Sequence, residues 1–270
     1  MLPAYREYAG NRGHRLAKRR NRRNAIGISV SDHWWAWRYV GRRHVWYRPH
    51  FVRPLLIACD FDGTITQRDT LHVIVESFGE RGLWERLEPR LRAGEITVEQ
   101  AMHEEFAAVR AIPEEVRDAV REHAPIRDGL GEWVDWCARK GHRLVVMSNG
   151  FRSVIEPVLA EAGLGHLEVV AHDARFSRDG CRLLWSDRGE RCGLCGRPCK
   201  RAPLGARWQG ERLVYVGDGI SDRCVSLMAD VVFARDGLSE HLTDLDVPFV
   251  PFDDFHDVRR ALDSLDEAAA

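Results

Sequence analysis

Lysine is nearly missing from this 270-residue chain: Lys18, Lys140 and Lys200 are all it has, and arginine supplies the rest of its 40 basic side chains. Each lysine therefore has to be explained individually. Long apolar runs are missing too. Stretches such as residues 55–59 fall far short of the roughly 20 residues that cross a bilayer, so no membrane span is expected. No N-terminal stretch joins a short basic region to a long apolar run and a small-residue cleavage site. The seven cysteines are odd in number, which argues against a secreted disulfide framework. The expected setting is reducing and cytoplasmic.

Acidic side chains are scarce at the start of the chain. Residues 1–53 carry 13 Lys+Arg against 2 Asp+Glu, which leaves 27 against 39 in the remainder. The basic segment shows no sustained period of 2 or 3.6. It reads as a disordered arm, or as residues preceding a natural start near Val52. Its arginines, interleaved with Trp34, Trp35, Trp37, Trp46 and Tyr47, can also bind nucleic acid across residues 12–53 by phosphate contact and base stacking, or lie at a membrane surface.

What is present from residue 54 onward is an α/β pattern: strand, long helical block, strand, helix, strand, hairpin, strand, helix and short strands. This predicts a Rossmann-like, mostly parallel sheet over residues 54–69 and 125–262. Residues 70–124 contain helical segments near 71–78, 83–91 and 98–109, punctuated by Gly79, Gly94 and Pro113. They are expected to form a small all-helical cap inserted after the first strand, over the carboxyl ends where open α/β sheets bind ligands. A helix over 130–139, strands over 142–147 and 213–216, a helix over 221–229 and a strand over 231–234 complete the reading.

Chemistry-bearing residues follow the strand signals. The run 55–59 leads into Asp60-Phe61-Asp62-Gly63-Thr64. Two carboxylates at that spacing suit covalent phosphoryl transfer, with Asp60 attacking phosphorus and Asp62 protonating the leaving oxygen. An Asp-Gly turn is the plainer alternative. Ser148-Asn149-Gly150 stands between a strand and a helix, where a hydroxyl and free N–H groups hold phosphate oxygens or simply cap the helix. Gly217-Asp218-Gly219-Ile220-Ser221-Asp222 repeats the layout. Four aspartates brought together need a cation, and Mg²⁺ takes oxygen ligands together with phosphate. Asp60, Asp218 and the Asp62 main-chain carbonyl suit that role, with Asp222 binding the ion or orienting its ligands; a helix-start aspartate is the alternative for Asp222. Lys200 can offset charge on Asp60 and on the transferring group. Cys192, Cys195 and Cys199, with Cys181 across a hairpin, can close a tetrahedral Zn²⁺ site or form a reduced cysteine-rich loop.

Taken in order, Asp60-x-Asp62, Ser148, Lys200 and Gly217-Asp218-x3-Asp222 resemble the haloacid dehalogenase superfamily of phosphatases over residues 54 to about 260. The resemblance implies a Mg²⁺-dependent phosphomonoesterase with Asp60 as nucleophile and Asp62 as acid/base. It also implies phosphoryl binding by Gly63, Ser148, Asn149, Gly150 and Lys200, and metal binding around Asp60, Asp62, Asp218 and Asp222. Asp62 argues against halide displacement, whose catalysts lack that acid. The insert is similar to the cap of the phosphoserine phosphatase branch. Within it, the Asp60–Thr66 and Gly217–Asp222 motifs and the cysteines before Lys200 are similar to the 2-hydroxy-3-keto-5-methylthiopentenyl-1-phosphate phosphatases of methionine salvage. Phosphoserine or another small phosphorylated metabolite is the alternative substrate, although Gly63 and Ser221 depart from the phosphoserine pattern. Asp69 falls where that pattern has a substrate-reading glutamate; a helix N-terminus is its alternative.

Overall fold

The computed structural model describes residues 36–40, 43–47 and 54–267, apart from 94, 97, 187–190 and 197. Most of the basic arm therefore lies outside the described residues. Within it, β1 (Ala36–Val40) and β2 (Arg43–Tyr47) form an antiparallel pair with Trp37 opposite Trp46, a local hairpin that the residue pattern does not signal.

The main sheet has seven strands in the order β6-β5-β4-β3-β7-β8-β9: β3 (Leu55–Cys59), β4 (Arg143–Phe151), β5 (Glu168–Ser177), β6 (Gly180–Leu184), β7 (Arg212–Gly217), β8 (Val231–Ala234) and β9 (Val250–Pro251). All pairings are parallel except β5 with β6. The class is α/β, as expected. β3 is central, and all five of its residues are buried. That is why it reads as a continuous apolar run instead of an alternation. Leu55, Ile57 and Cys59 pack into one core on one face, while Leu56 and Ala58 pack into a second core on the other.

Between β3 and β4 the chain makes α1 (Thr70–Phe78), α2 (Leu83–Arg92), α3 (Val98–Ala107), α4 (Pro113–His123) and α5 (Leu130–Arg139). The first four leave and return through a narrow neck. Thr66 bridges Ile126 in antiparallel fashion, Gln67 donates to the Pro125 carbonyl at 2.9 Å, and Arg127 donates to the Ile65 carbonyl at 2.8 Å. The insert packs on the rest through residues such as Phe106, whose ring meets that of Phe151 edge-on at 4.9 Å. Among the described residues, no helix is long and apolar enough to cross a membrane.

Two local expectations need correction. β4 continues through Ser148, Asn149 and Gly150 to Phe151 with a register shift after Met147, and α6 (Arg152–Glu161) starts directly behind it. The helix expected over 221–229 is two short 3-10 turns, Ile220–Asp222 and Ser226–Met228. The Asp222 side chain accepts from the backbone N–H groups of Asp218 and Gly219, a local bond that competes with regular helix.

Candidate active site

The carboxyl ends of β3, β4 and β7 lie side by side and bring the predicted residues together. Asp60 follows β3 with its own N–H still donating to Val216 of β7 at 2.9 Å. Its carboxylate is 4% exposed. Lys200, immediately before α7 (Arg201–Gly205), reaches in from the side. It donates to Asp60 Oδ1 and, at 2.8 Å, to Asp222 Oδ1, and is itself 3% exposed. Burial alone would lower the Lys200 pKa, but Asp222 and Asp60 together raise it. For Asp222 burial pushes up, and Lys200, the Tyr215 hydroxyl and the Gly219 N–H outweigh it and hold the group below the usual carboxylate range.

Asp62 sits on the other side of the cleft. Its Oδ2 accepts from Ser148 Oγ at 2.9 Å, and its Oδ1 accepts from both the N–H and the hydroxyl of Thr70, the first residue of α1. Ser148 Oγ in turn accepts the Gly150 N–H at 2.7 Å. A Cβ on Gly150 would lie 2.8 Å from Asp62 Oδ2, so only glycine lets β4 approach this closely. Gly63 has the same constraint in stronger form. Its φ is +80°, and a Cβ there would stand 2.5 Å from Asp218 Oδ2. Asp218 Oδ1 accepts from Thr64 at 2.9 Å.

The donor set fits a divalent cation. Asp60, Asp218 and Asp222 offer carboxylate oxygens within 4.8 Å of one another. Burial first, then repulsion from Asp222, raises the pKa values of Asp60 and Asp218, that of Asp218 to about 7. Carboxyl groups clustered this closely call for a shared proton or a cation. Asp222 fits less well as a direct ligand than its sequence position implies. Its Oδ1 accepts Lys200 and the Tyr215 hydroxyl at 2.6 Å, and its Oδ2 accepts two backbone N–H groups. Its geometry is that of an anchor for Lys200 and for the loop bearing Asp218.

These raised values set a pH dependence. Asp218 binds its proton more tightly in the folded protein (about 7) than in the unfolded chain (3.8), so its stabilising contribution is full below pH 4 and is lost as pH rises through 7. Asp60 and Glu105, the latter raised to about 7 by burial in α3, act in the same direction. In chelator, the midpoint of thermal unfolding should fall between pH 5 and 8. Mg²⁺ should reduce the fall, and Asp218→Asn should flatten it. A flat or rising midpoint in chelator would contradict this electrostatic account.

The other expected residues are placed differently. Asp69 is the N-cap of α1, its Oδ1 accepting from Leu71 N at 2.8 Å and His72 N at 3.1 Å, so helix capping accounts for it. Asn149 is exposed. Cys181 is not with the other cysteines: it lies on β6 opposite Phe176, buried in the main core. The residue that joins Cys192, Cys195 and Cys199 is Cys224, which apolar surroundings in the sequence assign to the core instead. Arg127 has no motif to announce it. It clasps the loop after Asp60 from below, donating to the carbonyls of Gly63 at 2.9 Å and Thr64 at 3.0 Å. Thr64, Thr70 and Tyr215 likewise enter the site only through the fold.

The family model of haloacid dehalogenase-like hydrolases matches residues 57–226, and the chain belongs to that family. Among its relatives, the 2-hydroxy-3-keto-5-methylthiopentenyl-1-phosphate phosphatase of Geobacillus thermodenitrificans is 31% identical over 80% of this chain and 99% of its own length. The enzyme of the same name from Brevibacillus brevis is 28% identical over 80% and 98%. Among solved structures, a phospho-aspartyl intermediate analogue of phosphoserine phosphatase superposes with a TM-score of 0.57 at 19% identity, covering 78% of this chain and 99% of that one. Cytosolic 5'-nucleotidase IIIB bound to cytidine does so with 0.53 at 20%, covering 80% and 86%. At those identities the two structures speak to the fold alone.

Proposed function

We propose that the chain is a Mg²⁺-dependent phosphomonoesterase that works through an aspartyl-phosphate, and that its substrate is 2-hydroxy-3-keto-5-methylthiopentenyl-1-phosphate. The carrying observation is the buried Asp60–Lys200 pair at the carboxyl end of β3 with Asp62 two residues on, hydrogen-bonded to Ser148. Lys200 occupies Asp60 Oδ1, which leaves Oδ2 to attack phosphorus. As the new Oδ2–P bond forms, the P–O bond to the alcohol breaks and Asp62 gives its proton to the departing oxygen. Asp62, now a carboxylate, takes a proton from water; that water attacks phosphorus, frees inorganic phosphate and restores Asp60. Lys200 and the Ser148 hydroxyl hold the phosphoryl oxygens in place. Asp60, Asp218 and the Asp62 carbonyl would hold Mg²⁺, which offsets negative charge on those oxygens. Helices α1 to α4 serve as the cap that excludes bulk water and selects the alcohol.

The substrate is supported by the named relatives, which match this chain over nearly their full length. Steady-state kinetics with purified protein and Mg²⁺ should give a kcat/KM for the methylthiopentenyl phosphate at least about tenfold above that for O-phosphoserine, a gap worth roughly 1.4 kcal/mol. The reverse order would sink the substrate, though not the mechanism.

Asp62→Asn tests the mechanism independently. With no acid, kcat on an alkyl phosphate should fall about 10²- to 10⁴-fold. The fall should be smaller for an aryl phosphate, whose phenolate leaves without a proton. Equal losses on both would show that Asp62 is not the leaving-group acid.

A further inference from the structure

The mechanism makes no use of a second cluster. Cys192, Cys195, Cys199 and Cys224 place their four sulfurs within 4.8 Å of one another. The Cys192 and Cys224 sulfurs are 3.5 Å apart, too far for a disulfide, whose bond is about 2.05 Å. Four thiolates on one Zn²⁺ at about 2.3 Å leave sulfurs roughly 3.8 Å apart along each tetrahedral edge. The 3.5 Å pair and the 4.8 Å limit on the whole group bracket that edge.

The backbone around the sulfurs is also arranged for a metal. Cys192-Gly193-Leu194-Cys195-Gly196 makes a tight turn closed by the Gly196 N–H donating to the Cys192 carbonyl at 2.8 Å, with Gly196 at φ +70°. The Leu194 N–H points at Cys192 Sγ at 3.4 Å, and the Cys195 N–H points there too. Amide hydrogens aimed at sulfur stabilise thiolate, the form that binds metal. Arg191 donates to the Gly196 carbonyl and Arg201 to the Cys224 carbonyl, at 3.1 and 3.0 Å, so two guanidinium groups border what would be a complex of net charge −2.

We propose that Cys192, Cys195, Cys199 and Cys224 hold one structural Zn²⁺ that clamps the segment ending in Lys200 to the segment beginning at Asp222. Cys199 directly precedes Lys200, and Cys224 stands two residues after Asp222. The ion thereby joins, outside the catalytic cleft, the two chain segments whose side chains meet inside it. Four protein ligands leave no open position for water, so the site is structural and takes no part in turnover. Loading releases the thiol protons to solvent and changes no oxidation state.

The test is metal analysis of the full chain purified under reducing conditions from zinc-supplemented medium, so its outcome is independent of phosphatase activity. One zinc per chain is expected in the wild type and in Cys181→Ser, with zinc lost from Cys224→Ser and Cys195→Ser. Reconstitution with Co²⁺ should give the thiolate charge-transfer and visible bands of a tetrahedral sulfur site in the first two proteins only. Should the ligand variants fail to fold, the wild type suffices: chelator should strip one zinc, expose four thiols to titration and lower the unfolding midpoint, and added zinc should reverse all three. Wild type that carries no zinc and shows no thiolate–cobalt bands would overturn the proposal. So would a Cys192–Cys224 disulfide in the reduced preparation, or zinc kept by Cys224→Ser and lost from Cys181→Ser.

Discussion

Replacing Asp60 with Asn should lower kcat by about 10⁴-fold or more, the scale on which loss of a covalent nucleophile is felt elsewhere. The fold should be almost unaffected. Asn keeps the shape of the side chain and an acceptor for Lys200, and Lys200 retains its ion pair with Asp222 at 2.8 Å. The substitution also takes a buried carboxyl group away from Asp222 and Asp218, whose charges repel it and raise its pKa. The unfolding midpoint should therefore stay level or rise slightly while turnover disappears. Quench-flow with a 32P-labelled aryl phosphate should trap acid-stable, hydroxylamine-labile phosphoprotein in the wild type and none in the variant. Appreciable turnover by Asp60→Asn would exclude the covalent route.

Lys200→Met should damage both activity and stability. Lys200 is the counter-ion shared by Asp60 and Asp222, and all three are buried. Taking away one partner of a buried ion pair costs about 3–5 kcal/mol because the charge left behind has neither water nor a counter-ion. Denaturant titration should show that loss at pH 8 and recover part of it at pH 5, where protonation of the stranded carboxylates removes the penalty. In the wild type the slope near Asp222 runs the other way: its lowered pKa means stability gained above the unfolded value and lost as pH falls. Activity should fall with stability but not recover at low pH, because no ammonium remains to balance the phosphoryl charge. A variant as stable as the wild type at pH 8 would mean that water, not Lys200, neutralises the pair.

The sheet and the cleft were legible in the sequence because parallel-sheet chemistry gathers at strand ends. Asp60, Ser148 and Asp218 each follow or end an apolar run, and strands side by side in one sheet bring those positions together whatever their separation in the chain. Lys200 stood out by rarity. The residues that stayed hidden act through partners distant in sequence. Thr70 reaches Asp62 only because α1 starts at the neck, and Tyr215 looks like any buried strand residue until Asp222 is found beneath its hydroxyl. Cys224 is 25 residues beyond Cys199, past β7, and no ligand spacing links it to the cysteine loop. A hairpin places Cys181 near that loop in the sequence pattern, whereas the pairing of β6 with β5 turns its side chain into the core. Asp222 illustrates the converse: its position in the motif suits a metal ligand, and only its five donors reveal that its oxygens are engaged.

The Thr70 contact has a mechanical consequence. The first residue of the helical insert donates twice to the carboxylate expected to shuttle the proton, while the insert is joined to the sheet by one slender two-stranded stem. Any swing of the helices away from the sheet must stretch or break those donations. Admission of a substrate and the orientation of the Asp62 carboxylate are then geared to one movement, so the proton donor is aligned only once the door is shut.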